Sequence, residues 1–195
     1  MKRIVILASG SGSNAQADID AVRDGAIGAE VAAIVTNQPD AGVLRRAESA
    51  GIATVVLPLA DRRDRELREA YNRELADLIS AYDVDLIVLS GWMLILSPSF
   101  LDRFPDKIIN VHPALLPDGE KAEVETSQGP LPALRGARTV RDALRLRLPL
   151  TGATVHFVTR AVDAGPVILR EEVPVLADDD EERLHARIKS VEHRL

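Results

Sequence analysis

An apolar run ends on two polar residues in Lys107-Ile108-Ile109-Asn110-Val111-His112-Pro113. At i and i+2 on a strand, Asn110 and His112 point to the same side. An amide can donate to a developing oxyanion, and an imidazole can donate, accept or carry a proton near neutral pH. Together they suit general acid–base chemistry on a carbonyl. Taken alone, an Asn-x-His pair is more often a satisfied polar pair at a strand end. His156 alternates with apolar Val155 and Phe157 and reads as structural, while His185 and His193 read as helix-surface residues. No His, Asp or Glu spacing suggests a metal site, and there are no cysteines.

A second motif, Ser9-Gly10-Ser11-Gly12-Ser13-Asn14-Ala15, follows an apolar run and precedes a helical pattern. Glycines let backbone N–H groups close on an anion, and a helix N-terminus adds partial positive charge. A phosphate is the natural ligand. The same letters fit the dinucleotide fingerprint, which also needs an acid about 20 residues on, at the end of the second strand. This chain offers Thr36-Asn37-Gln38 there, which weakens a nicotinamide reading. A turn that only makes room for strand–helix packing remains the bland alternative.

Both motifs need a scaffold. Strand-like runs at Arg3–Ala8, Glu30–Thr36, Ala53–Leu57, Asp85–Ser90 and Lys107–Val111 are nearly continuous in Val, Ile and Leu, as strands covered on both faces are. Helical patterns lie between them; the clearest carries Leu67, Tyr71, Leu75, Leu78 and Tyr82 on one face. This alternation predicts an α/β fold: a single-domain, doubly wound, mostly parallel sheet. Asn110 and His112 then lie at its carboxyl end, where such folds place their ligands. In the C-terminal third, Thr154–Thr159 and Val167–Val175 flank the turn-forming Asp163-Ala164-Gly165-Pro166, which predicts an antiparallel strand or hairpin. The acids Asp178 to Glu182 open a last helix with Leu184, Ile188, Val191 and Leu195 on one face. Asp118 to Pro132 has little apolar periodicity and reads as an exposed, mobile loop. One domain spans 1–195, with a C-terminus that looks cut short.

The chain of 195 residues carries a net charge of −6 and is 46% hydrophobic and 28% charged, a globular balance. That charge argues against nucleic acid as a partner; the one candidate basic patch is Arg138, Arg141, Arg145 and Arg147. The apolar runs are strand-length, so no membrane span is expected. The first run is too short for a typical signal peptide, and a cytoplasmic protein is expected.

Taken together, the segments resemble the folate-dependent glycinamide ribonucleotide formyltransferases. The resemblance rests on ILASGSGSN near the start, LSGWMLILSP at 89–98, INVHPALLP at 109–117, GATVHFV at 152–158 and VDAGPVIL at 162–169, with RIKSVEH at 187–193 adding a weaker match. They occur in the family's order and cover most of the chain. The resemblance implies formyl transfer from 10-formyltetrahydrofolate to the amine of glycinamide ribonucleotide, in de novo purine biosynthesis, without a metal. It implies a catalytic trio of Asn110, His112 and Asp163, in which Asp163 holds His112 protonated. It puts substrate binding at Gly12, Ser13, Asn14 and Glu192. Cofactor binding falls on Arg68, on Met93, Leu94, Ile95 and Leu96, and on Asn110. Two departures stand out: Leu94 replaces an arginine common in the family, and the segment Asp118–Pro132 is longer than usual. Open alternatives are another phosphorylated amine as acceptor, a nicotinamide-dependent oxidoreductase, or a non-catalytic phosphate-binding module. A homodimer is left open.

Overall fold

A computed structural model describes residues 1–195. The chain forms two compact units, Met1–Ile109 and Asn110–Leu195. Its main sheet has seven strands in the order β3-β2-β1-β4-β5-β8-β9.

The first unit alternates strand and helix: β1 (Lys2–Leu7), α1 (Ser13–Arg23), β2 (Ala29–Thr36), α2 (Gly42–Ser49), β3 (Thr54–Val56), α3 (Arg65–Ser80), β4 (Leu86–Leu89) and the short α4 (Pro98–Leu101). The pairs β1–β2, β1–β4 and β2–β3 are parallel, as crossover connections require. Ile4, Ile6, Ile34 and Val88 pack against Ala15 and Ile19 of α1 and Val43 and Ala47 of α2. The alternate residues Val5, Leu7, Val35 and Ile87 are fully buried and point to the opposite face. Both faces are therefore covered, which is why these strands carry apolar runs instead of alternation. Asp64 caps α3 by accepting from the N–H groups of Glu66 and Leu67. The buried stripe of α3 is Tyr71, Asn72, Leu75, Ala76 and Ile79, rotated from the expected one, and Leu67 is exposed.

Strand β5 (Ile108–His112) leads into the second unit. That unit holds β6 (Glu123–Thr126), β7 (Gly129–Pro132), α5 (Thr139–Arg145), β8 (Leu150–Phe157), β9 (Val167–Pro174) and α6 (Glu181–Glu192). β8 and β9 pair antiparallel, the expected C-terminal hairpin. Gly165, in the connector between them, has no room for a side chain: an added Cβ would lie 1.8 Å from the Phe157 carbonyl oxygen. Asp180 caps α6, and its apolar face buries Leu184, Ile188 and Val191 against Ala143, Ala153 and Val173. β9 is an edge strand whose residues Ile168, Leu169 and Arg170 are exposed.

Two expectations need correction here. Asp118–Pro132 is not an unanchored loop, because it contains the antiparallel hairpin β6–β7. Val124 is buried with Leu115 and Leu150, and Leu131 packs on them. The segment is also tied down at its start and at the hairpin turn: Val167 N–H donates to Asp118 Oδ1, and Ser127 N–H to Glu172 Oε1. One apolar residue on each strand, Val124 and Leu131, is too weak a pattern to announce a strand pair. The four arginines do not share one helix either. Only Arg141 and Arg145 lie on α5, where they face Glu181 at 3.8 Å and Asp142 at 3.3 Å; Arg138 is its N-cap and Arg147 lies beyond it.

Candidate active site

In the first unit the glycine loop turns through Gly12, at φ 73°, into the first turn of α1. Gly12 is required twice over. That conformation suits glycine, and an added Cβ would sit 2.6 Å from Val43 of α2. The N-cap residue, Gly12, has no side chain with which to cap α1, and the first turn from Ser13 carries main-chain N–H groups at the positive end of the helix dipole. Arg46, half-buried on α2, donates from Nε to the Ser11 carbonyl at 2.8 Å and from Nη1 to Gln16 Oε1 at 3.3 Å. Its charge is thereby fixed beside the loop. Sequence reading missed Arg46; its signal would have been an arginine four residues into the helix that follows the second strand.

The same unit ties this loop to the segment expected to read the folate. Met93 N–H donates to Ser9 Oγ at 2.9 Å, and Ser9 N–H to the Gly91 carbonyl at 3.1 Å. Met93 and Ile95 expose their side chains, Leu94 is half-buried, and Leu96 is buried. Arg68 has an exposed side chain on α3. α3 reaches the end of this segment through Asn72, whose Oδ1 accepts from Ser97 N–H at 2.9 Å.

In the second unit Asn110, His112 and Asp163 meet, and His156 joins them. His112 Nε2 lies 2.8 Å from the Leu134 carbonyl oxygen. A carbonyl only accepts, so Nε2 carries the hydrogen. His112 Nδ1 then faces Asp163 Oδ2 at 3.6 Å. His156 Nδ1 lies 2.9 Å from the Phe157 carbonyl and by the same argument donates to it. Its Nε2 is therefore an acceptor, and it receives the Asn110 amide at 3.2 Å. That bond fixes which end of the Asn110 side chain is nitrogen. His156 Nε2 is also 3.8 Å from Asp163 Oδ1, so one carboxylate lies against two imidazoles. Asp163 sits in the left-handed region at φ 52°, and its Oδ2 accepts from Gly136 N–H at 2.7 Å. His156 is structural in holding Asn110, and it belongs to the site as well; alternation in β8 showed its burial but not its partner. Glu192, the last residue of α6, is buried in this unit.

Burial acts on the pKa of His112 in the direction opposite to the one the resemblance implies. Burial pushes its pKa down from the ordinary value; the Asp163 charge and the Leu134 carbonyl pull it back up only in part, and His156 and Arg135 lower it further. Desolvation of the imidazolium outweighs one carboxylate at 3.6 Å. The ring is thus biased toward its neutral form.

No group of three or more His, Asp or Glu side chains is placed to hold a metal ion. No helix is long and apolar enough to cross a membrane.

The mostly parallel α/β sheet, the glycine turn after β1 and the Asn–His–Asp cluster reached from β5 belong to a chain of the formyl transferase family, matched over residues 2–195. Within that family it is similar to the phosphoribosylglycinamide formyltransferase of Escherichia coli (strain K12), 43% identical over 192 residues, which are 98% of this chain and 82% of that protein. The phosphoribosylglycinamide formyltransferase of Mycobacterium tuberculosis (strain ATCC 25618 / H37Rv) is 39% identical over 193 residues, 99% of this chain and 80% of that protein. The crystal structure of glycinamide ribonucleotide transformylase 1 from Symbiobacterium toebii superposes with a TM-score of 0.87 at 39% identity, covering 100% of this chain and 84% of that one.

Proposed function

We propose that this protein transfers a formyl group from 10-formyltetrahydrofolate to the amine of glycinamide ribonucleotide, a step of purine biosynthesis carried out in the cytoplasm. The observation that carries the chemistry is the His112–Asp163 pair beside an Asn110 amide whose orientation is fixed. The nicotinamide alternative has no support: the end of β2 lacks the ribose-binding acid, and the relatives transfer formyl groups by name.

When bound, 10-formyltetrahydrofolate supplies an activated formyl carbonyl and a nitrogen leaving group. Exposed, apolar Met93 and Ile95 suit the face of a planar ring. Met93 N–H is already donated to Ser9, so main-chain donation to the ring falls to Leu94, Ile95 and Leu96, with the Met93 carbonyl left to accept. Leu94 removes the charged contact that an arginine would make. Gly12, Ser13 and Asn14 hold the substrate phosphate through main-chain donors, with Arg46 adding charge, and Glu192 binds the glycinamide part.

Attack of the amine builds negative charge on the formyl oxygen. The second hydrogen of the Asn110 amide donates to it, a contribution of about 10²–10³ in rate for one such donor. Neutral His112 takes up the amine's proton at Nδ1, and Asp163 and the Leu134 carbonyl stabilise the imidazolium so formed. The same nitrogen then delivers that proton to the departing nitrogen.

The test is an assay of the purified protein with 10-formyltetrahydrofolate, following release of the deformylated product. Glycinamide ribonucleotide should support turnover, and other phosphorylated amines should not. Turnover with a different amine alone would reassign the acceptor; no turnover, with tight binding of a nicotinamide nucleotide, would overturn the reading.

A further inference from the structure

We infer that Arg135 is a positioning residue for the His112–Asp163 pair, acting through the main chain at the exit of the β6–β7 hairpin. This rests on the formyl-transfer reading for its kinetic consequences and on the structure for its geometry. The residues on either side of Arg135 each touch one member of the pair. The Leu134 carbonyl accepts from His112 Nε2 at 2.8 Å, and Gly136 N–H donates to Asp163 Oδ2 at 2.7 Å. Between them the half-buried Arg135 guanidinium spans three main-chain carbonyls: Nε to Asp163 at 3.0 Å, and Nη2 to Gly119 at 3.0 Å and Lys121 at 2.9 Å.

All three acceptors are neutral carbonyls, so these bonds secure backbone instead of pairing charge. One fork joins the entry of the hairpin segment (Gly119, Lys121), its exit (Leu134–Gly136) and the turn that carries Asp163. A planar guanidinium with donors in fixed directions can do this; an ammonium on a flexible stem cannot hold the same three points in one plane. The consequence for chemistry is specific. Holding the Leu134 carbonyl on Nε2 forces the hydrogen onto that nitrogen and leaves Nδ1 as the proton-accepting lone pair. Holding Gly136 N–H on Asp163 keeps the carboxylate facing Nδ1.

Arg135→Lys keeps the charge and breaks the fork, so it isolates positioning. The charged and titratable groups facing His112 are Asp163, His156 and Arg135. Asp163 and the Leu134 carbonyl both favour the imidazolium, so loosening them lowers the pKa of His112 and moves the acid limb of the pH–rate profile to lower pH. kcat should fall about 10- to 100-fold, the cost of a small misplacement of reacting groups, while KM for the ribonucleotide changes little. If Arg135 acts only as a charge, Arg135→Lys leaves kcat and the limb in place, Arg135→Gln moves the limb to higher pH, and the proposal fails.

A readout free of substrate comes from ¹⁵N shifts of the His112 ring. The wild-type protein should show the Nε2–H tautomer, and Arg135→Lys a mixture of the two. A wild-type ring protonated at Nδ1, or an unmixed Nε2–H ring in Arg135→Lys, overturns the inference whether or not the protein formylates glycinamide ribonucleotide. Absent turnover in the wild type with the tautomer result as expected would instead count against the proposed function alone.

Discussion

The glycine turn of the first unit is made of main chain and lies within one short stretch, Gly12 to Asn14, whereas the cluster of the second unit is made of side chains drawn from β5, β8 and the connector after it. The first needs only a glycine that accepts φ 73° and a helix that begins there. The second needs Asn110, His112, His156 and Asp163, with main-chain partners at Leu134, Phe157 and Gly136, to arrive together. The turn holds fixed dipoles with nothing to titrate; the cluster sets one carboxylate against two imidazoles, and the proposed chemistry there runs through a proton. Binding and chemistry are therefore separable by experiment, and damage to each should read out differently.

The sharpest way to test that separation is Asp163→Asn, which keeps shape and tolerates the left-handed backbone while removing the charge. Burial is then opposed only by the Leu134 carbonyl, so the pKa of His112 drops further and the acid limb moves to lower pH. More of the ring is neutral at pH 7, yet the imidazolium formed during attack loses its stabilising carboxylate. kcat should fall about 10²- to 10⁴-fold with KM for the ribonucleotide within a few-fold. A comparable rise in KM would break the comparison.

Gly12→Ala makes the reverse test. The left-handed conformation costs about 1–2 kcal/mol for a residue with a Cβ, and that Cβ meets Val43 at 2.6 Å. The turn must shift, raising KM for the ribonucleotide about tenfold or more with the pH profile unmoved. A displaced acid limb would show the two sites to be coupled.

Val124→Ala probes how the hairpin supports the second site. It removes about 1–2 kcal/mol of apolar burial, visible as a lower midpoint in urea. kcat should follow stability only where the hairpin opens, so at low temperature activity should be nearly unchanged. Arg46→Ala has the smallest expected effect: about a 3- to 10-fold rise in KM, the worth of one charged contact, with a weaker dependence of KM on salt and kcat intact.

The sequence made the first unit legible because its signals are local. Apolar runs bounded by turns marked β1 to β5 within a residue or two, and the glycine turn stood in one window. Asn110 and His112 were legible for the same reason, as a pair at a strand end. Asp163 came only by resemblance, because nothing near it in sequence says that the fold returns it to His112. The tautomers of His112 and His156 are set by the carbonyls of Leu134 and Phe157, and a carbonyl has no letter of its own. Burial of His112, which pushes its pKa down, likewise belongs to the packed structure. The hairpin escaped because Val124 and Leu131 are single apolar residues among polar and turn-forming ones.

Strand β9 has a consequence for behaviour in concentrated solution. As an edge strand it leaves one row of N–H and C=O groups without a neighbouring strand, and Ile168 and Leu169 add exposed apolar side chains next to that row. Such an edge is a template for pairing with another chain. Here Arg170, Glu171 and Glu172 follow in the middle of the strand and Pro174 closes it. A second strand laid alongside would have to desolvate those charges, and it would find no donor at the proline. The strand that completes the sheet thus carries its own protection against colloidal self-association.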